Sequence, residues 1–156
     1  MILILSNFII GFTIISVSWI IGFIVFAIIK KNNKQNIITR IILFKNQKWY
    51  KYIGINIFRN IIIKTPLNLF NQIKISKYSK IELERVKGEI EKSEISHLVG
   101  FVFSQLIACC FFVCFNKFYM FLSLTVLNIF MNLYPVLLQQ MNRQKITTLL
   151  TINNFK

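Results

Sequence analysis

The sequence predicts an all-α integral membrane protein with three transmembrane helices and amphipathic interfacial helices in the cytoplasmic loop. First, 55% of the 156 residues are hydrophobic and the mean hydropathy is +0.60, which is not typical of a water-soluble domain. Second, three long segments contain no charged residue, and about 20 apolar residues suffice to cross a bilayer. We therefore expect a single membrane domain, 1–156, with spans at about 2–29, 97–116 and 118–138.

Basic residues are concentrated between and after the spans. Of the 19 Lys and Arg residues, 15 lie in 30–93, three lie in 139–156, and Lys117 separates the second span from the third. Loops rich in Lys and Arg remain in the cytoplasm. We therefore expect an external N-terminus, a cytoplasmic loop 30–96, a tight external turn at Lys117 and a cytoplasmic tail 139–156. The first span is too long for a signal peptide, so we expect it to be retained as an anchor.

The cytoplasmic loop is not uniformly polar. The segment 49–70 mixes Ile, Phe, Trp and Tyr with Lys and Arg, a composition typical of amphipathic helices in the headgroup plane. The Thr65–Pro66 step should end such a helix, and 71–80 resembles a polar connector. Residues 80–92 are mostly good helix formers. Because no proline follows them, we expect one helix to continue from there into the second span.

The formal net charge of +14 does not indicate nucleic-acid binding. The lysines flank membrane segments, and no DNA- or RNA-binding motif accompanies them. Attraction to anionic headgroups of the inner leaflet is the simpler explanation. The three cysteines, Cys109, Cys110 and Cys114, lie in the second span, where thiols usually act as small apolar fillers.

Every carboxylate side chain lies between Glu82 and Glu94, and the only histidine is His97. Histidine is the residue whose ordinary pKa lies near neutrality, so acid–base chemistry has one predicted location. On an α-helix Glu89, Glu94 and His97 share a face, and Glu94 and His97 are neighbours that can touch. A metal site would need further ligands and there is no second histidine, so we expect no metal.

The third span contains a narrow polar stripe. Asn128, Asn132, Gln139 and Arg143 fall within about one sixth of the helix circumference. Polar side chains in an apolar span face protein rather than lipid. We therefore expect this stripe to contact another helix.

The two polar faces should meet across a helical hairpin whose turn lies at Lys117. Equal distances from the turn place His97 near Leu137 and Glu94 near Gln140, at the cytoplasmic membrane surface. Two interpretations remain open. The meeting is either a functional site or a structural contact, in which a Glu–Arg pair balances charge and amide side chains join helices.

Two segments resemble the motifs of a known family. Glu89 to Leu98, EIEKSEISHL, resembles the E-T-x-R-A-E-x-x-H-W motif of the glycosyl-4,4'-diaponeurosporenoate acyltransferases, small bacterial membrane proteins that complete staphyloxanthin-type carotenoids. Asn132 to Lys145, NLYPVLLQQMNRQK, resembles their N-x-P-x4-Q-R-Y-N-R-P-R motif. The resemblance covers roughly 45–146, and its specificity lies in the two motifs.

The correspondence can be given residue by residue. The residues that match the motifs are Glu89, Glu94, His97, Asn132, Gln139, Asn142 and Arg143, and Lys92 and Lys145 stand where the family has Arg. The departures are Leu98 for Trp, Gln140 for Arg, Met141 for Tyr, Gln144 for Pro, and Pro135, which is one place late.

The resemblance implies transfer of a fatty acyl group to a sugar hydroxyl of a glycosylated, carotenoid-like isoprenoid lipid in the bacterial cell membrane. His97 would be the general base, with Glu94 or Glu89 fixing its tautomer. The substrate-binding residues would be Asn132, Gln139, Asn142 and Arg143, and Lys92 and Lys145 would bind the phosphates of the donor. The donor would be an acyl-CoA or an acyl-carrier thioester, with no further cofactor.

Two alternatives from other functional classes remain. A non-catalytic lipid-binding or assembly subunit of a membrane biosynthetic complex would explain the replaced motif residues. A transporter is the weakest alternative, because three spans offer no internal repeat and no deep charged path. The sequence contains no signal for the oligomeric state.

Overall fold

The computed structural model describes residues 2–32, 43–44, 47–64 and 79–153. Its helices are α1 (Ile2–Lys31), α2 (Gln47–Tyr52), α3 (Ile55–Lys64), α4 (Lys80–Val113), α5 (Phe118–Asn128) and α6 (Tyr134–Asn153), and a π-helical turn (Ile129–Leu133) joins α5 to α6. There is no strand in these described ranges.

Three helices are long and apolar enough to cross a membrane: Leu5–Lys31, Lys80–Val113 and Phe118–Ile152. The prediction of an all-α membrane protein with three transmembrane helices is therefore confirmed. The third of these contains α5, the π turn and α6, and we call it the third rod. Large apolar side chains on the outer faces remain exposed, as lipid contact requires, among them Phe12, Ile24, Leu106 and Phe130.

Helix α4 continues without interruption from the loop into the second span, as predicted. The Ser79 hydroxyl accepts a hydrogen bond from the Glu82 N–H at 3.3 Å, which satisfies one of the free donors at the helix start. Since α4 has 34 residues, it is about 51 Å long, against a hydrocarbon core of about 30 Å. One end of α4 therefore extends beyond the hydrocarbon core, where Leu83, Val86 and Ile90 pack against Ile146 of α6.

Small residues allow α1 and α4 to approach closely. A Cβ atom on Gly22 would overlap the backbone carbonyl of Ser96, and one on Gly100 would lie 3.2 Å from Ser18 Oγ and 3.1 Å from Asn132 Oδ1. Helices in lipid associate through van der Waals packing that small residues make possible. Helices α1 and α4 and the third rod therefore meet around Gly100.

The π turn ends at Leu133, two residues before Pro135. Proline has no N–H to donate to the carbonyl of Met131, four residues earlier, and its ring would clash there. The chain adopts i→i−5 bonding instead, and the Tyr134 N–H donates to Ile129 O. Such turns are frequent at functional sites, and this one contains Asn132.

The loop helices pack on the third rod. Tyr50 of α2 and Ile55 of α3 are buried against Leu137, Leu138 and Met141. Phe58 and Ile62 pack against the same cluster, whereas the polar residues Asn56, Arg59 and Asn60 are exposed, so α3 is amphipathic. Its location in the headgroup plane stays a prediction. The helix end at Thr65–Pro66 and the connector before residue 79 lie outside the described residues.

The hairpin register differs from the prediction for His97. Its side chain meets Asn132 and not the neighbourhood of Leu137. Helix α4 ends at Val113, so the centre of the turn moves from Lys117 toward Phe115. His97 therefore meets a residue nearer the turn than predicted, whereas Glu94, which lies further from the turn, still meets Gln140 and Arg143.

Candidate functional site

His97 is held between two helices. Its Nδ1 lies 3.2 Å from Asn132 Oδ1 on the third rod. Its ring meets the edge of Trp19 on α1, with a centroid distance of 6.0 Å and an interplanar angle of 83°. The α1–α4 crossing at Gly22 and Gly100 brings these three side chains together.

The tautomer of His97 follows from the partners of Asn132. The Trp19 indole donates to Asn132 Oδ1 at 2.9 Å, and the indole N–H can only donate. The amide atom that faces both rings is therefore the oxygen. Because an amide oxygen only accepts, Nδ1 of His97 carries the proton. In the neutral imidazole Nε2 then has a lone pair, as a general base requires.

Further amide side chains hold Asn132 in place. Its Nδ2 donates to Asn128 Oδ1 at 2.8 Å, and Asn128 Nδ2 donates to the Phe101 carbonyl at 2.9 Å. Gln105 extends the chain of hydrogen bonds to Thr125 at 3.3 Å. Both asparagines are fully buried. A satisfied buried network of this kind is rigid, so the orientation of His97 is set by the packed interior of the bundle.

Glu94 and Arg143 form a second cluster. The Arg143 Nε and Nη2 donate to the two carboxylate oxygens of Glu94 at 2.7 and 3.0 Å, and Gln140 adds a side-chain hydrogen bond to the same carboxylate. Glu94 is 2% exposed and Arg143 9% exposed. The predicted meeting of Glu94 with Gln140 and Arg143 is confirmed.

The expectation that a glutamate fixes the tautomer of His97 needs correction. The hydrogen bonds described for Glu94 go to α6, and Asn132 occupies the position beside Nδ1. The two side chains lie 60° apart on α4. Glu94 thereby faces α6, whereas His97 faces the junction with α1.

Glu89 and Lys92 lie away from this interior. Both line a cleft between α4 and the end of α1, and Lys92 Nζ lies 5.9 Å from the centre of the Phe23 ring. Glu89 is exposed. The described contacts do not join Glu89 to His97.

The remaining predicted site residues follow α6. Gln139 is 6% exposed, and among the described residues its Oε1 has no hydrogen-bond partner. Asn142 is half-buried and Lys145 is exposed. Gln139 therefore belongs to the buried interior with Arg143, whereas Lys145 does not.

Sequence reasoning did not identify Trp19. A signal existed, since indoles are enriched at membrane interfaces and a buried N–H needs a partner. Trp19 instead lies well inside an apolar segment. The small residues Ser96 and Gly100, spaced four apart on α4, were a second signal of close helix packing. No group of three or more metal-ligating side chains occurs in the part of the chain that is described.

Comparison with known proteins identifies the family. The family model for glycosyl-4,4'-diaponeurosporenoate acyltransferase matches residues 33–152. No curated protein and no solved structure matches the chain. The matched range contains both motifs, whereas Trp19 precedes it. Because the match covers more than half of the sequence, the chain belongs to the glycosyl-4,4'-diaponeurosporenoate acyltransferase family.

Proposed function

We propose that this membrane acyltransferase of carotenoid-type biosynthesis moves a fatty acyl group from a thioester to a sugar hydroxyl of a glycosylated isoprenoid lipid, with His97 as general base. One observation carries the proposal: the hydrogen bond between His97 Nδ1 and Asn132 Oδ1 selects the tautomer of the neutral imidazole in which Nε2 has a lone pair. An oriented neutral imidazole is the usual base for activating a hydroxyl.

One base is sufficient for the acyl transfer, because it takes a proton from the acceptor and returns it to the leaving group. The sugar hydroxyl oxygen attacks the thioester carbonyl while Nε2 of His97 takes the hydroxyl proton. The tetrahedral intermediate then collapses, the C–S bond breaks, and the imidazolium returns the proton to the departing thiolate. The products are an ester and a free thiol, and no further reactant is needed.

Residues of α6 support the acceptor. The buried Gln139 Oε1 can accept a hydrogen bond from a sugar hydroxyl. Arg143 uses Nε and Nη2 for Glu94, so its Nη1 donors remain for the oxyanion of the intermediate. Asn142, one residue before Arg143, is assigned to the sugar.

We also propose an orientation for the bundle. The excess of Lys and Arg between α1 and α4 favours a cytoplasmic location for that end, with the N-terminus outside. His97 lies five residues beyond Lys92 on α4, about 7.5 Å deeper along the helix axis. A lipid-linked sugar at the cytoplasmic surface can reach that depth. Lys92 and Lys145 are assigned to the phosphates of the donor.

The test compares lipid extracts from a host that carries the native gene, no gene, or the gene for His97→Ala. An esterified glycolipid should require the native gene and disappear with His97→Ala. Cys109→Ala, at an exposed position on the same helix, is the control and should retain the ester. An ester that requires the gene but survives His97→Ala would rule out His97 as the base and favour an assembly subunit.

A further inference from the structure

The end of α1 and the start of α4 flank an open cleft, here called the basic cleft, with a volume of about 980 Å³. Its floor is apolar and consists of Phe23, Phe26 and Ala27 of α1. The volume matches sites that bind one small molecule, which are about 300–1,000 Å³. A folded protein partner would need a broader surface.

Positive charge predominates on the wall of the basic cleft. Lys30, Lys31, Arg85 and Lys92 line it, against the two carboxylates of Glu84 and Glu89. Arg85 is hydrogen-bonded to Glu82 at 2.8 and 3.2 Å, so three lysines and two carboxylates remain on the wall, and the lysines are in excess. An amphipathic cleft with several ammonium groups suits a ligand that combines phosphates with an apolar chain.

The basic cleft lies little more than one helical turn from His97, which is not among its lining residues. Lys92 contacts Phe23, and His97 contacts Trp19. These two contacts lie four residues apart on α1 and five apart on α4, which is little more than one helical turn. The Gly22–Ser96 backbone contact closes the space between the two helices, so a ligand with its phosphates at the lysines would reach the imidazole by extending an arm over the outer surface of the α1–α4 junction.

We infer that the basic cleft binds the phosphorylated end of an acyl-coenzyme A donor and directs its thioester toward His97. The inference rests on the proposed function and assigns α1 a part in donor binding. Coenzyme A has a diphosphate and a 3'-phosphate, whereas the arm of a carrier protein has one phosphodiester. The three lysines and the small-molecule volume both favour coenzyme A.

Gly88 allows a direct test by filling the cleft. It lines the cleft, and a Cβ atom there would meet no atom within 4 Å. Replacing a helical glycine also improves helix propensity, so Gly88→Phe should fold. The probe is S-octyl-coenzyme A, a thioether that cannot transfer its chain, and the protein is the full chain in nanodiscs of zwitterionic lipid. Gly88→Phe should raise Kd at least tenfold, whereas Ile81→Phe, exposed on the same helix, should not.

A second pair of variants tests the charges. Lys30→Gln/Lys31→Gln should raise Kd about tenfold and reduce its salt dependence, because fewer ionic contacts form. Lys51→Gln/Lys64→Gln removes the same charge from α2 and α3 and should change Kd less than twofold. Removing the 3'-phosphate from the probe should weaken binding to the native chain more than to the cleft variant.

Three results would overturn the inference. The first is an unchanged Kd for the probe in both Gly88→Phe and Lys30→Gln/Lys31→Gln. The second is an equal rise of Kd in the control pair Lys51→Gln/Lys64→Gln. The third is that the cleft variants bind the probe normally and lose only binding to anionic vesicles or to an acyl-carrier protein. Because the probe is inert, binding is measured apart from turnover. A cleft-dependent Kd without glycolipid acylation would refute the proposed acceptor and retain the donor site. Normal acylation with an unchanged Kd in the cleft variants would refute the donor site alone.

Discussion

The His97 imidazole donates its Nδ1 proton to the Asn132 amide oxygen, at 3.2 Å, and the direction of this bond is set by Trp19. The same oxygen accepts the Trp19 indole N–H at 2.9 Å, so both rings converge on one acceptor. A neutral amide orients the imidazole without an additional buried charge. A carboxylate at that position would require its own compensating partner in the interior of the bundle.

Asn132→Leu should abolish this orientation. Leucine has similar volume but no acceptor, so His97 loses its fixed tautomer. Since positioned acid–base catalysis contributes about 10²- to 10⁴-fold, kcat should fall by at least about 10²-fold, while KM for both substrates changes less than threefold. Steady-state kinetics on purified protein in nanodiscs measures both.

Two comparisons separate positioning from structural damage in that experiment. Asn132→Asp keeps an acceptor oxygen and should recover part of kcat. Thr125→Val removes a hydrogen bond to Gln105 on the same rod and should leave kcat within twofold. If Asn132→Leu raised KM and left kcat unchanged, Asn132 would be a substrate ligand and not a positioning residue.

Trp19→Phe tests the contribution of α1 to the same site. Phenylalanine keeps an aromatic edge beside His97 but removes the N–H that holds Asn132 Oδ1. The loss of one hydrogen bond should lower kcat about 3- to 10-fold. Trp49→Phe is the matched control, because Trp49 is 54% exposed on α2 and no described hydrogen bond joins it to Asn132 or His97. Equal activities of the two variants would exclude a role for the indole N–H.

The helical periodicity was sufficient to predict most of the architecture. Charge-free segments predict the three spans, and the stripe from Asn128 to Arg143 predicts which face of the third rod meets α4. The ion pair of Glu94 with Arg143 follows from these two faces. The spans and the stripe depend on residues close together in sequence, where helix geometry is nearly fixed, and the ion pair also depends on the tight turn that makes the two helices a hairpin.

The partner of His97 could not be predicted in the same way. Periodicity identifies a face of a helix but not the level along its axis at which it meets another helix. That level differs from the prediction because α4 ends at Val113. The π turn further alters the geometry beside Asn132. Trp19 reaches the site only because Gly22 allows backbone contact with Ser96, and sequence periodicity says nothing about which small residues face each other.

The Glu94–Arg143 pair should be essential for stability. Glu94→Gln leaves a buried guanidinium without its counter-charge, and breaking such a pair costs about 3–5 kcal/mol in the free energy of unfolding. Glu94→Gln/Arg143→Gln removes both charges and should lose less than the sum of the two single variants. Unfolding in SDS titrations measures all three. Strictly additive losses would show that the two charges are not coupled. The control is Glu82→Gln, which breaks an exposed pair with Arg85 and should leave stability unchanged.

Tyr50 should hold the loop helices on α6. Its hydroxyl donates to the Phe44 carbonyl and accepts from Gln144 Nε2, both at 3.1 Å. Burial raises the pKa of Tyr50 above its ordinary value of 10.0. The protonated hydroxyl therefore stabilises the folded loop at neutral pH, and this contribution is lost only as the pH rises through the folded-state pKa.

Hydrogen exchange in α2 and α3 measures that contribution. Tyr50→Phe should lower amide protection there, whereas Tyr52→Phe, 80% exposed, should not. Native protection, corrected for the intrinsic exchange rate, should not change between pH 6 and pH 9. A decline in that range would show that another group controls the loop.

Gly22→Ala should destabilise the bundle, although alanine is the better helix former. Alanine improves helix propensity by about 1 kcal/mol, but its Cβ would overlap the Ser96 carbonyl, and overpacking of this kind costs about 1–3 kcal/mol. Separation of α1 from α4 would also withdraw Trp19 from Asn132, so kcat should fall together with stability. Gly88→Ala, where a Cβ meets open space, should instead be more stable than the native chain in the same SDS titration. If both alanine variants gained stability, α1 and α4 would not be in backbone contact at Gly22. The contact of Trp19 with Asn132 and His97 would then lose its structural basis.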